Sequence, residues 1–156
     1  MKLAEALAQR ADATRRVEQL RSRIVGSARY QEGEEPAENA VELLAETDAV
    51  IAGLESLVRR INRTNASATV GGARTLTDAL ARRDALRLQH SVVSTAADAA
   101  AGRDQRGAVR QLRSELKMFA ALPVAALRTR ADELAREIRE IDVAIQRTNW
   151  EVDLLD

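Results

Sequence analysis

Residues 123–150 read PVAALRTRADELAREIREIDVAIQRTNW, and within them Leu127, Ala131, Leu134, Ile138, Ile141 and Ile145 recur at alternating spacings of four and three. An α-helix places residues three and four apart on the same side, so this spacing predicts one narrow apolar seam running the length of a helix. Pro123 suits the first helical position, where its missing amide hydrogen would have no partner anyway. The flanking charges decide little, because Arg136 attracts Glu140 while Glu133 repels Glu137, each pair four residues apart. A buried Leu or Ile is worth ~2 kcal/mol against a few tenths for such a pair, so the seam dominates. Such a helix is ~42 Å long and cannot bury its own stripe. The rest of the chain must supply partners of similar length.

Composition agrees with that demand. Of 156 residues, 46% are hydrophobic, yet the aromatics are only Tyr30, Phe119 and Trp150. A core made of Ala, Leu, Val and Ile beside abundant Arg and Glu is the composition of long helices, and it argues against a β-rich fold. The absence of cysteine excludes disulfides, thiol catalysis and thiolate metal sites. No apolar run approaches the ~18 residues of a membrane span, and the first residues lack the apolar core of a secretory signal. A cytoplasmic location is the expectation.

The 24 basic and 24 acidic side chains cancel, but unevenly. Residues 1–31 sum to +4, 32–57 to −8, 58–117 to +7 and 118–156 to −3. Basic helices lying beside acidic ones would produce this alternation, whereas a dedicated nucleic-acid binder would usually carry a net basic excess. No nucleic-acid partner is expected.

Working outward, the first helix is predicted from about Lys2 to Val25, with Leu3, Leu7, Val17, Leu20 and Ile24 on its apolar side and Gly26 as its stop. Residues 26–39 form a loop containing Gly33, Pro36 and a self-repelling acidic cluster. The second helix starts near Ala37 to Ala40 and reaches about Asn65. It carries two stripes: Leu43, Val50, Leu54, Leu57 and Ile61, and separately Val41, Leu44, Ile51 and Val58. A helix apolar on two sides is interior or touches another subunit. Val70 to Gly72 make a turn, and Thr75, with Asp78 three residues on, caps a third helix reaching about Ala101. On that helix Leu76, Leu80, Leu86, Val92 and Val93 mark the apolar side. Residues 102–107 break the pattern, and 108–122 fit either a short helix on Val109, Leu112, Leu116 and Phe119 or an extended connection.

Ile61 to Asn65 reads INRTN and Ile145 to Asn149 reads IQRTN; the same offset of 84 lays Leu43 on Leu127, Val50 on Leu134 and Leu54 on Ile138. Coincident seams point to two related helical hairpins, 1–66 and 75–150, joined by a turn at 67–74. The expected fold is all-α: a single-domain antiparallel four-helix bundle of two long hairpins.

Catalytic chemistry finds little footing. His90 stands alone, with Arg87 where a di-iron bundle would need Glu, so it reads as a partly exposed helical histidine. Glu32, Glu34, Glu35 and Glu38 offer oxygens to a hard cation but lack the spacing of a calcium loop, and a solvated loop is the simpler reading. Arg63 with Asn65, and Arg147 with Asn149, are candidate anion contacts whose simpler role is helix-end capping. Arg59-Arg60 and Arg82-Arg83 are short basic pairs suited to an acidic neighbouring helix. Trp150 reads as a plug closing the bundle end, with an interface anchor as the rival role. No glycine-rich phosphate loop or nucleophile elbow occurs, and no cofactor is implied.

The segments MKLAEALAQRAD, QEGEEPAE, ELLAE, INRTN, RTLTDALARRDAL, RSELK and ALRTRADELAREIREIDVAIQRTNWEVDL, in that order, resemble the septicolysin-like family of small bacterial helical proteins. The resemblance implies a helical, self-associating domain, an inherited association with pore formation, and no assigned catalytic residues. The leading expectation is a non-enzymatic homo-oligomeric interaction module, with Val41, Leu44, Ile51, Val58 and Trp150 as interface candidates. The alternatives are a ligand- or metal-dependent enzyme at the bundle ends and a pore-forming toxin.

Overall fold

The structure, a computed structural model, describes residues 1–103 and 116–156. Among them are four α-helices: α1 Leu3–Ser27, α2 Ala40–Ser67, α3 Leu76–Ala100 and α4 Val124–Glu151. Two short strands, β1 Thr69–Val70 and β2 Arg74–Thr75, pair around Gly71 and Gly72, whose positive φ angles of 62° and 77° make the reversal. The all-α class expected from the spacing of Leu127 to Ile145 is what forms. The chain divides into one unit of residues 1–69 with 146–156 and another of residues 70–145.

In the first unit α1 packs on α2. Leu3, Ala6 and Leu20 of α1 are buried, as are Leu43 and Ile61 of α2. Arg16 donates through Nε and Nη2 to the single oxygen Oε1 of Glu46, and Arg23 holds Glu38 through Nε to Oε2 at 2.9 Å, among other contacts. Both pairs match a later residue of the first segment with an earlier one of the second, so the hairpin is antiparallel. The basic block 1–31 thus meets the acidic block 32–57.

In the second unit Leu86, Val93, Ala131 and Leu134 form a buried cluster, with Leu127, Ile138 and Ile141 packed against it. The seam of α4 is therefore its inner face. Arg82 with Glu137 at 3.1 Å, Arg87 with Asp142 at 2.9 Å and Arg128 with Asp98 at 2.6 Å tie the flanks of α3 and α4.

Helix ends show where local chemistry and spacing disagree. Asn39 caps α2: its Oδ1 accepts from the amides of Val41 and Glu42, and its Nδ2 donates to Glu42 at 2.9 Å. Thr75 caps α3 as expected, accepting from the Asp78 amide at 3.1 Å. Its hydroxyl also donates to Asp78 Oδ2 at 2.8 Å. Gly102, at φ 73°, ends α3 in a Schellman arrangement, with Arg103 N donating to Asp98 O and Gly102 N to Ala99 O.

Gly26, by contrast, does not stop α1. The helix runs on through the buried Ser27, and Ala28 keeps a right-handed helical backbone, so no left-handed residue is needed. Val92 also departs from expectation: it is 60% exposed, and Val93 takes the core position. Pro123 lies one residue before α4 and supplies the carbonyl that accepts from the Leu127 amide at 3.0 Å. The expectation for 108–122 falls largely on residues outside those described, and 116–122 are non-helical.

Lengths and burial repeat between hairpins. The helices α2 and α4 both have 28 residues, beginning at 40 and 124, while α1 and α3 both have 25, beginning at 3 and 76. Leu3 and Leu76, Ala6 and Ala79, and Leu20 and Val93 are buried at matching positions, as are Ile61 and Ile145, and Thr64 and Thr148. The hairpin offsets differ because the second connection, 101–123, is longer than the first, 28–39.

Candidate functional site

The last turns of α2 turn Ile61 and Thr64 inward, 1% and 0% exposed. At 100° per residue, that leaves Arg59 and Arg63 on the outer side, with Arg60 at its margin. The Thr64 hydroxyl donates to the Arg60 carbonyl at 2.8 Å and accepts the Leu155 amide at 3.0 Å. This bond brings the segment after α4 against α2. Arg60 Nε then donates to Leu155 O at 3.0 Å and its Nη2 to Asp156 Oδ1 at 2.9 Å, while Arg63 Nη1 donates to Asp156 O at 2.7 Å.

A concavity of about 350 Å³ results, lined by Ser56, Arg59, Arg60, Arg63 and Asp156. On its other side the same segment is pinned by an antiparallel bridge between Lys2 and Asp153. Leu3 N donates to Val152 O at 3.0 Å, Leu154 N to Met1 O at 2.9 Å, and Lys2 Nζ to Glu151 O at 3.0 Å. The groove offers planar guanidinium donors suited to oxyanions. Its Ser56 hydroxyl has no histidine, lysine or carboxylate base among the other lining residues except Asp156, whose Oδ1 accepts from Arg60.

Of the residues flagged by sequence, Arg63 lies in this groove, whereas the half-buried Asn65 does not line it. Arg147, at the equivalent place in α4, binds Glu151 of its own helix at 2.6 Å, and this bond raises the Arg147 pKa. Asn149 is half-buried. Two similar motifs thus meet different partners. In the acidic loop, Glu38 is engaged by Arg23, which lowers its pKa, while Glu32, Glu34 and Glu35 are exposed. Among the described residues no group of three or more His, Asp or Glu side chains is arranged to hold a metal.

The outer stripe of α2 is open: Val41 is 75% exposed, Leu44 51% and Ile51 47%, with Val58 half-buried. Trp150 is 64% exposed and is not a plug. The inward residue of that turn is Thr148, and two further residues rotate the indole about 200° away from it.

Sequence reasoning missed Arg59, Arg60 and Asp156 as a group, and Thr64 as its anchor. The adjacent arginines were visible, but the partner comes from almost a hundred residues away.

The fold is that of a helical-hairpin protein, and an arginine-lined groove lies at the end of α2. Residues 10–154 match the family model of DUF6847, a family of unknown function, and the chain belongs to that family. It is also similar to the crystal structure of a functionally unknown conserved protein from Corynebacterium diphtheriae, with 42% identity, 99% of each chain covered and a TM-score of 0.89. No curated protein matches the chain. These findings replace the septicolysin-like resemblance: the family spanning nearly the whole chain is a different one, and the similar structure carries no link to septicolysin. Short motifs of Ala, Leu, Arg and Glu recur across unrelated helical proteins, which is why they misled. Among the described residues no helix is long and apolar enough to cross a membrane.

Proposed function

We propose that this protein is a non-enzymatic interaction module that pairs with a second copy through the outer stripe of α2. The observation that carries the reading is the exposure of Val41, Leu44 and Ile51 on a helix whose other apolar stripe serves the core. The stripe is not a by-product of the repeat. At the positions equivalent to Leu44 and Val58, α4 carries Arg128 and Asp142, which pair with Asp98 and Arg87.

Charge supports a second copy as the occupant. Along α2, the acidic Glu42, Asp48 and Glu55 precede the basic Arg59 and Arg63, while Glu46 and Arg60 are engaged within the chain by Arg16 and Asp156. Antiparallel pairing of two α2 helices sets each acidic half opposite a basic half, which steers association and disfavours the parallel alternative. A cytoplasmic setting is part of this proposal.

Light scattering behind size-exclusion chromatography tests it. The parent is expected at twice the chain mass at micromolar concentration. Leu44→Glu and Ile51→Glu are expected at the single-chain mass with helicity retained, because both side chains are exposed in the single chain. A parent that is strictly monomeric would end this reading.

A further inference from the structure

We propose that Arg59, Arg60 and Arg63 form a binding site for a multivalent oxyanion, of phosphate or carboxylate type, and that Asp156 is its internal occupant. The groove already shows the chemistry it accepts, because a carboxylate oxygen and two main-chain oxygens sit on its guanidinium groups at 2.7–3.0 Å. Three cations line the concavity against the Asp156 side-chain carboxylate and the terminal carboxylate oxygen held by Arg63, so one positive charge remains after both are counted. Asp156 uses only Oδ1, on Arg60, and its side chain is fully exposed, so it is a weakly held occupant. Among the described residues Arg59 makes no hydrogen bond or ion pair, and it lines the same space.

Within a single chain two effects oppose anion binding and both are small; in the α2 pair proposed above, the acidic half of the second copy would compete as well. The negative end of the α2 dipole lies at Ser67, and the dipole's influence fades within the last turn, whereas Arg59 to Arg63 occupy the turns before it. Glu55 stands four residues before Arg59 and offers it a surface pairing worth a few tenths of a kcal/mol by the general rule for such helix pairs. Neither matches a doubly or triply charged oxyanion held by two or three guanidinium forks. At about 350 Å³ the concavity also has room for more than one oxyanion group.

The site therefore behaves as a competition between a tethered carboxylate and a free anion. Replacing the tethered one should strengthen the free one by the strength of an exposed charged contact, about threefold to fivefold. Isothermal titration of inorganic pyrophosphate, and separately of citrate, into the 156-residue chain at constant ionic strength provides the measurement. Asp156→Asn is expected to tighten binding by that factor, and Arg59→Gln to weaken it about tenfold or more. Arg59→Gln removes none of the bonds from Arg60, Arg63 and Thr64 to the tail, so its effect reports on the ligand and not on the packing of residues 152–156. Tightening for pyrophosphate alone assigns a phosphate ligand, and for citrate alone a carboxylate; either result, or both, supports the site. Absence of binding to parent and Asp156→Asn alike overturns it, as does equal affinity of parent and Arg59→Gln.

Discussion

Glu38 ties the start of the second helical segment to α1 through one fork of hydrogen bonds from Arg23. That bond, with added attraction from Arg23 and Arg16, outweighs desolvation and lowers the Glu38 pKa below its ordinary 4.5. A carboxyl with a lower pKa folded than unfolded adds stability that is complete above the unfolded value and disappears as pH falls through the folded one. Glu38→Gln should therefore cost the hairpin stability near neutrality. The difference from the parent should shrink as pH drops below about 4.5 and vanish in stronger acid. Urea unfolding at several pH values checks the sign; a gap that widens on acidification would contradict the pairing. Residue-scale detail of this kind was only half legible in the sequence. Glu38 stood in an acidic cluster that suggested a cation, and nothing local told it apart from Glu32, Glu34 and Glu35. Its distinction comes from Arg23, fifteen residues earlier, which reaches it because the hairpin folds back.

Elements were more legible, because helix periodicity is a local property and burial follows it. The seam Leu127 to Ile145 turns inward as its spacing demands, and Leu134 is 5% exposed within the cluster of Leu86, Val93 and Ala131. Leu134→Ala should cost about 2–5 kcal/mol by removing buried methyl groups and leaving a cavity. Val92→Ala, at a 60% exposed position, should stay within about 0.5 kcal/mol. Chemical denaturation of both variants checks the contrast. Equal losses would mean that the inner face of α3 lies elsewhere. What periodicity could not settle was the choice between neighbours. Val92 and Val93 are one residue apart, and only the phase of α3 against α4 decides which is core. Likewise Gly26 and Gly102 both looked like stops, but only Gly102 takes the left-handed angle that makes glycine necessary.

At the scale of the whole chain, the junctions repeat as well as the hairpins. β1 follows α2 and pairs with β2, which leads into α3; Asp153 follows α4 and pairs with Lys2, which leads into α1. One junction is closed by Gly71 and Gly72, while the other is held by hydrogen bonds and the Lys2–Asp153 ion pair at 3.0 Å. Joining Asp156 to Met1 through a short glycine linker and opening the chain between Gly71 and Gly72 should therefore give a folded protein. Its stability should lie within a few kcal/mol of the parent, since one loop closure is exchanged for another. Circular dichroism and urea unfolding of that permutant check the expectation. A permutant without cooperative unfolding would show that the two junctions are not equivalent. The offset of 84 hinted at this repetition through the seams, but the second offset, set by the longer connection at 101–123, hid the match between α1 and α3.

The bridge at Lys2 and Asp153 also bears on how the molecule breathes. An isolated helix frays at its ends because terminal groups have no partners, but here the first amide of α1 is bonded to Val152, and Leu154 and Leu155 are bonded to Met1 and Thr64. The start of α1 and the end of α4 must therefore open together, as one cooperative unit. Hydrogen–deuterium exchange should find the amides of Leu3, Leu154 and Leu155 releasing their protons at a common rate, and Thr64→Val should accelerate all three at once.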